Sequence, residues 1–214
     1  MTLPGTFPPH SDSWLLARVL RETLRRRGRA AVLDVGTGSG VLATTAALCG
    51  AQVTAVDRSL RAVCSATLTA WANRVRVQAV RGDLVSPLNG STFDVIVSNP
   101  PYVPAADAEL PTSGPRCATD AGLDGRAVID RLCAAAPAFL RPGGELLLVH
   151  SEVCDEDATL GAMRDAGLDA EVVARERGPL GPLLRERREL LVQRGLLAPQ
   201  ADEEQVLVLR GRCG

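Results

Sequence analysis

The spacing of apolar positions changes along the chain between a helical period and a strand-like pattern, and each change of spacing predicts a new element. Between residues 13 and 27 the apolar side chains recur at helical spacing, and Gly28 follows as a predicted C-cap. Short, mostly apolar runs come next, and runs of this length are typical of strands buried in a parallel sheet. The predicted strands are 30–35, 52–57, 75–80, 93–98, 145–150, 170–175 and 205–210.

Helical patterns separate these strands. They cover residues 41–48, 126–140 and 157–166, and we expect the second to end at the Pro-Gly-Gly sequence of residues 142–144. Strands that alternate with helices predict a parallel sheet in an α/β fold. A length of 214 residues fits one such domain, spanning 1–214.

Two segments interrupt the alternation. Residues 103–123 are rich in proline and glycine, and a connection of that length without secondary structure is uncommon unless it is functional. We therefore predict a loop that gates a substrate site. An insert at about 181–195 is rich in leucine and arginine. Two interpretations of it stay open: an amphipathic helix that covers the sheet edge, and a helix that docks a substrate or partner.

Composition narrows the classes of protein. The formal charge is −1, which does not favour a nucleic-acid binder. No apolar run reaches the roughly 18 residues of a membrane span, and residues 1–9 lack the basic and apolar regions of a secretory signal. Six scattered cysteines without a CxxC pair, together with two histidines, predict no metal site. We expect a cytoplasmic protein with reduced cysteines.

A glycine turn follows the first predicted strand. Gly36, Gly38 and Gly40 form a G-x-G-x-G pattern, whereas the dinucleotide fingerprint requires its third glycine where Val41 stands. Glycines let the backbone approach a ligand closely. The carboxylate of Asp34, directly before the turn, disfavours a phosphate and suits a cationic, amino-acid-like ligand such as S-adenosylmethionine.

Two further acids end the next two strands. Asp57 lies 21 residues after Gly36, and an acid at about this spacing can bind both hydroxyls of a ribose. Asp83 can accept from an adenine amino group, with Leu84 packed on the ring. Each acid alone is equally consistent with a solvated strand end. Their shared position, at the carboxyl ends of parallel strands, is where such sheets bind ligands.

The strand at 93–98 leads into Asn99, Pro100, Pro101 and Tyr102. Proline has no backbone N–H and restricts the residue before it to extended conformations, so this corner offers carbonyl oxygens without local donors. An amide oxygen beside a free carbonyl can hold both hydrogens of a planar –NH2 group. The corner therefore favours an enzyme that alkylates an amide or exocyclic amino nitrogen, although a simple proline turn also fits.

Four segments together resemble one family. The glycine turn, Asp34–Gly40, looks like the first motif of class I S-adenosylmethionine-dependent methyltransferases, and Asn99–Tyr102 resembles the NPPY signature of HemK-like protein-glutamine and amino-group DNA methyltransferases. Pro9–Leu16 and Gly122–Asp130 are similar to segments of the short HemK-like branch known from archaea and eukaryotes. One departure is Ser11, which replaces an acid common in that branch.

The resemblance implies a Rossmann-like fold: a seven-stranded, mostly parallel sheet with helices on both faces and an antiparallel last strand. It implies S-adenosylmethionine as cofactor and S-adenosylhomocysteine as product. Asp12 and Ser13 join the expected cofactor-binding residues, as does Asn99. Asn99, Pro100 and Tyr102 take the expected catalytic roles, and Pro101 lies with them in the expected substrate site.

The methyl acceptor and partner follow less directly. The branch methylates a glutamine side-chain amide in peptide-release factors, so we expect a protein acceptor of that type. By resemblance, a small zinc-binding activator subunit can pair with the strand near residues 75–80, which is equally consistent with an ordinary edge strand. A methyltransferase for adenine or a small-molecule amino group remains an alternative, as does a non-catalytic subunit that binds the cofactor.

Overall fold

The computed structural model describes residues 9–88 and 90–214, so the predictions about residues 1–8 lie outside it. Its strands are β1 Ala31–Val35, β2 Gln52–Asp57, β3 Gln78–Arg81, β4 Phe93–Ser98, β5 Leu140–Ser151, β6 Leu168–Pro179 and β7 Glu203–Cys213. Its α-helices are α1 Ser11–Arg27, α2 Val41–Leu48, α3 Leu60–Ala72, α4 Ala127–Ala135, α5 Glu156–Asp165, α6 Pro182–Glu186 and α7 Arg188–Gln193.

The strands form one seven-stranded sheet in the order β3-β2-β1-β4-β5-β7-β6. Strands β1 to β5 pair in parallel, whereas β7 runs antiparallel to both β5 and β6. The predicted fold class, including the antiparallel last strand, is confirmed.

Alternate residues of the central strands pack on opposite faces of the sheet. Val32 and Val95 belong to a core cluster shared with α1 and α2, while their neighbours Leu33 and Ile96 belong to a second cluster shared with α4 and α5. All four side chains are fully buried. Coverage on both faces is the reason that these strands appear in the sequence as apolar runs rather than as an alternation.

Local backbone chemistry moves two predicted boundaries. The third strand was predicted at 75–80 but begins at Gln78, because Val75 N–H still bonds to the Ala70 carbonyl at the end of α3 (3.0 Å). The helix predicted over 126–140 ends as an α-helix at Ala135, since Pro137 has no N–H to continue it. The Pro-Gly-Gly sequence therefore lies inside β5 instead of ending a helix.

The insert predicted at about 181–195 is two short helices, α6 and α7, rather than one helix. Arg187 separates them with a backbone conformation at φ −99° and ψ 14°. No helix among the described residues is long and apolar enough to cross a membrane. Residues 9–88 and 90–214 hold no group of His, Cys, Asp and Glu side chains suited to a metal ion.

From β1 the chain adds β2 and β3 on one side of the sheet, and it then adds β4 and β5 on the other side, so the order of strands reverses between β1 and β4. Their last residues, Val35 and Ser98, are paired, and the Ser98 hydroxyl donates to the Val35 carbonyl at 2.8 Å. The glycine turn and the Asn-Pro-Pro-Tyr corner therefore leave the sheet side by side. Open parallel sheets bind ligands at such a point, outside the carboxyl ends of the strands.

Candidate active site

The three glycines of the turn have two different structural roles. Gly36 and Gly38, at φ 69° and 52°, line a cleft, and a Cβ added to either would meet no atom closer than 3.9 Å. A Cβ on Gly40 would lie 2.5 Å from the Cα of Ala66 in α3. The first two glycines thus present bare backbone to the cleft, and the third allows α2 to pack closely on α3.

Asp34 lies beneath the turn and does not line the cleft. Its Oδ2 accepts from the Thr37 hydroxyl at 2.6 Å and from Ala43 N–H at 3.0 Å, and the residue is fully buried. Burial raises its pKa to about 7, against the opposing effect of these two hydrogen bonds. Among the described residues, no donor reaches its buried Oδ1. Asp34 therefore fixes the shape of the turn from below.

Asp57 faces the cleft from the end of β2. Its Oδ2 accepts from Gly38 N–H at 3.0 Å, and its Oδ1 accepts from Ser59 N–H at 2.8 Å. Burial raises its pKa in spite of these two bonds. A carboxylate oxygen has further acceptor capacity after one such bond, so both oxygens remain able to accept from a pair of hydroxyls.

Asp83 and Leu84 line the same cleft beyond β3. Asp83 is paired with Arg131 from α4, and both side chains are about half exposed. Leu84 has φ 49°, in the left-handed region that a leucine seldom adopts. Its backbone conformation is therefore imposed by the surrounding loop, which holds this end of the cleft in one shape.

The side-chain amide of Asn99 is held in one orientation. Its Nδ2 donates to Asp12 Oδ2 and to Ser13 Oγ, both at 3.0 Å. A carboxylate offers only acceptors, so the amide nitrogen must lie on this side and the flipped orientation is excluded. Among residues 9–88 and 90–214 no donor bonds to Asn99 Oδ1 or to the Pro100 carbonyl.

Asp12 also binds Tyr102. The Tyr102 hydroxyl donates to Asp12 Oδ2 at 2.9 Å, and Ser13 N–H donates to Asp12 Oδ1 at 2.6 Å. Burial and the charge of Asp12 raise the pKa of Tyr102 well above its usual value, so the phenol stays protonated and donates. The carboxylate at the start of α1 thus links the two polar side chains of the corner.

Two residues that were not among the predicted site residues, Cys154 and Gly125, contact the backbone of the corner. The Cys154 thiol, fully buried, donates to the Tyr102 carbonyl at 3.0 Å. Gly125 packs against the same carbonyl so closely that a Cβ would overlap it. Gly125 was visible in the segment Gly122–Asp130, but the sequence carried no signal for Cys154.

One cleft of about 650 Å³ joins these features, a volume within the usual range for small-molecule sites. Of the predicted site residues, Asp34 and Gly40 lie outside its lining. The structure brings the others to this cleft: Asp12, Ser13, Gly36, Gly38, Asp57, Asp83, Leu84, Asn99, Pro100, Pro101 and Tyr102. The cleft thus contains both a cradle of bare backbone and an acceptor corner.

Comparison with known sequences gives consistent matches. Residues 4–113 match the family model described as Methyltransferase small domain. The chain is 38% identical over 172 residues to a release factor glutamine methyltransferase of Geobacter sulfurreducens, and 44% identical over 175 residues to one of Deinococcus radiodurans. These matches cover 77% of this chain but only 59% and 60% of those proteins.

An archaeal relative matches over nearly its full length. A Methanocaldococcus jannaschii protein, provisionally named a protein N5-glutamine methyltransferase, is 32% identical over 182 residues. That match covers 85% of this chain and 90% of the archaeal protein. The chain therefore spans about six tenths of the bacterial relatives and most of the archaeal one.

Solved structures share the fold. The Thermus thermophilus 16S rRNA N2 G1207 methyltransferase, in complex with AdoMet and guanosine, matches with a TM-score of 0.67 at 26% identity, over all of this chain and 46% of that one. The E. cuniculi Mtq2-Trm112 complex matches with a TM-score of 0.64 at 24% identity, over 98% of this chain and 99% of that one.

Proposed function

The chain belongs to the methyltransferase small-domain family and to its protein-glutamine methyltransferases, and from this premise we propose that it methylates the side-chain amide of a glutamine in a protein. The observation that carries the proposal is the fixed amide of Asn99. With its nitrogen held by Asp12 and Ser13, its oxygen accepts no bond from the described residues, and Asn99 lines the cleft together with Pro100, whose carbonyl is likewise free of a donor there.

S-adenosylmethionine suits the part of the cleft at the glycine turn. The open space above Gly36 and Gly38 accommodates a ligand that lies directly on the backbone. Asp57 would accept from the two ribose hydroxyls, while Asp83 and Leu84 lie where we expect the adenine. Asp34 would act from beneath the turn without a contact to the ligand, because its Oδ2 holds the Thr37 hydroxyl and the Ala43 N–H in place.

The acceptor corner suits a planar amide nitrogen. Such a nitrogen is a poor nucleophile because its lone pair is delocalised, so the enzyme must supply orientation more than proton transfer. S-adenosylmethionine supplies the methyl group together with a thioether leaving group. Asn99 Oδ1 and the Pro100 carbonyl would accept the two N–H bonds and aim the lone pair, and holding reacting atoms about 3–3.5 Å apart can contribute about 7–11 kcal/mol.

Tyr102 completes the corner without acting as a base. Its raised pKa and its bond to Asp12 keep it a neutral donor, so the ring would pack beside the acceptor amide. The nitrogen loses its proton after the methyl has been transferred, when it is far more acidic. A strong general base is therefore not required, and Tyr102, which stays protonated, would not act as one.

A peptide-release factor is the proposed acceptor, and the cytoplasm the proposed site of action. Support comes from the names of the bacterial relatives and from the Mtq2-Trm112 title, which assigns that complex to methylation of the eRF1 translation termination factor. The same title supports a small partner subunit. Strands β3 and β6 are the two edges of the sheet, and the family resemblance favours β3 as the edge to which a partner would add.

Labelled S-adenosylmethionine tests the activity. We would incubate the protein with a release factor, with DNA and with a cell extract, with and without a candidate partner subunit, and map the label by mass spectrometry. Label on a glutamine side chain of the release factor supports the proposal, and loss of label when that glutamine is replaced by alanine makes it specific. Label on DNA alone would favour the amino-group alternative and contradict the proposal.

A further inference from the structure

The arginines of the insert are bonded within the chain. Arg185 donates to the Leu180 carbonyl at 3.0 Å. Arg188 donates to backbone and side-chain oxygens of the segment 199–202. The other two, Arg187 and Arg194, donate to the loop that follows Tyr102. The arginine richness of the insert therefore serves contacts inside the chain and does not form a set of free cations for an anionic partner.

Arg187 connects the break between α6 and α7 to the loop at 103–123. Its Nη1 donates to the Pro104 carbonyl at 2.8 Å, and its Nη2 donates to Asp120 Oδ1 at 2.6 Å. Arg194 donates to three more carbonyl oxygens of the same loop, those of Ala105, Ala106 and Leu123, at 2.7, 3.2 and 2.7 Å. A guanidinium donates in a rigid planar fork, so each bridge fixes an orientation as well as a distance.

Asp120 carries this connection toward the acceptor corner. Its side chain is fully buried, and burial alone would raise its pKa, but hydrogen bonds from Arg187 and Arg116 lower it on balance. Val103, the residue after Tyr102, donates to the Thr119 carbonyl at 2.8 Å and accepts from Ala121 N–H at 3.1 Å. Asp120 therefore lies between two bonds to the backbone next to the corner.

The loop and the insert line the cleft together. Leu110, Pro111 and Cys117 of the loop face the same cleft as Leu183 and Leu184 of the insert. We call these five apolar side chains the acceptor wall. A polypeptide whose glutamine enters the corner would contact this wall, so the position of the wall relative to Asn99 would affect how the acceptor is aimed.

We propose that Arg187 is a positioning residue that fixes the loop at 103–123 against the insert and so holds the acceptor wall in register with Asn99. The inference rests on the proposed function and deepens it. It replaces the gating loop expected from the sequence with a wall that is already assembled before the acceptor binds. Arg187 acts through Asp120 and Pro104 and has no contact with the reacting atoms.

The test compares two adjacent arginines: Arg187, which separates α6 from α7, and Arg188, the first residue of α7. Arg187→Met removes the bonds to Pro104 and Asp120, while Asp120 keeps Arg116 and Thr119. Arg188→Met is the matched control, since it removes bonds that all go to 199–202. Hydrogen exchange of the full chain, without acceptor, should be faster across 103–123 in Arg187→Met and unchanged there in Arg188→Met.

Kinetics with the acceptor give the second readout. In Arg187→Met we expect kcat/KM for the acceptor to fall about 10- to 100-fold, since small misplacements of a substrate have effects of that size. The cofactor Kd should stay within about threefold, and Arg187→Lys should recover part of the loss. Equal kcat/KM values in Arg187→Met and Arg188→Met, or equal hydrogen exchange across 103–123 in the two variants, would overturn the inference. If the wild-type protein does not methylate a glutamine, only the proposed function is contradicted. The hydrogen-exchange comparison needs no acceptor, so it still tests whether Arg187 fixes the loop.

Discussion

Asp12 provides the sharpest test of how the acceptor corner is built. Its Oδ2 accepts hydrogen bonds from both Asn99 and Tyr102, and only 7% of the residue is exposed. Asp12→Ala leaves the amide nitrogen of Asn99 with Ser13 alone and leaves the Tyr102 hydroxyl without its acceptor. The Asn99 side chain can then rotate away from the orientation that presents its oxygen.

The size of the effect follows from the bonds that are lost. A hydrogen bond to a charged group contributes about 1.5–3 kcal/mol, so losing two removes about 3–6 kcal/mol of orientation. If all of it is expressed in the transition state, kcat falls roughly 10²- to 10⁴-fold. Tyr102→Phe removes only one of the bonds, so its kcat should fall about 10- to 100-fold.

Single-turnover rates at saturating cofactor, with cofactor Kd from calorimetry, separate the possible causes. We expect Asp12→Asn, which keeps an acceptor oxygen, to lie between wild type and Asp12→Ala. The family resemblance places Asp12 among the cofactor-binding residues, and calorimetry tests that role independently. A loss that appears entirely in cofactor affinity, with the rate unchanged, would refute the orienting role.

Three further predictions concern the cofactor end. Asp57→Ala should weaken cofactor binding by about 10-fold or more in calorimetry, since two hydroxyl contacts are lost; an unchanged Kd would contradict the assignment of Asp57. Gly36→Ala should weaken cofactor binding and lose about 1–2 kcal/mol of stability through its positive φ alone, whereas Gly40→Ala, with a similar φ and a Cβ 2.5 Å from Ala66, should lose about 1–3 kcal/mol more; a Gly36→Ala that binds the cofactor normally, or a Gly40→Ala that is no less stable than Gly36→Ala, would refute the two roles. Because burial raises the pKa of Asp34 from 3.8 to about 7, the folded state holds this proton longer, so its contribution to stability falls as pH rises between those values, by up to about 1.4 kcal/mol per unit. Denaturant titrations at several pH values should show that the free energy of unfolding depends less steeply on pH in Asp34→Asn. The same pH dependence in both proteins would contradict the raised pKa of Asp34.

The sequence was sufficient where the signal is local. The apolar runs located the strands, and the residues at or directly after their ends, such as Asp57, Gly36 and Asn99, necessarily lie at the carboxyl edge of a parallel sheet. The Asn99 corner was equally visible, because two prolines restrict the backbone whatever surrounds them. The individual roles of these residues remain predictions.

Contacts between distant residues were beyond the sequence. Asp12 meets Asn99 across 87 positions, and Arg187 meets Asp120 across 67. A carboxylate on a helix or an arginine in a leucine-rich insert has the same pattern whether it faces solvent or a buried partner. The sequence therefore left two interpretations of the insert, a surface helix and a docking helix. Only its hydrogen bonds to the loop at 103–123 support a third role, which is to position that loop.

The third strand shows how tertiary context shifts a boundary. Its alternating pattern begins at Val75, yet the N–H of that residue completes the end of α3 and the strand starts three residues later. Capping of the preceding helix thus took precedence over strand propensity. Such competition depends on how the helix packs, which a local pattern does not contain.

Asn99 itself gives the most direct test of the account. Single-turnover methyl transfer would be measured for wild type and Asn99→Ala at saturating cofactor, with cofactor Kd measured on the same samples. The account predicts that the rate falls roughly 10³-fold while Kd stays within about threefold, since removing one aimed polar group from a reacting centre has effects of that order. A rate within a few-fold of wild type would contradict it.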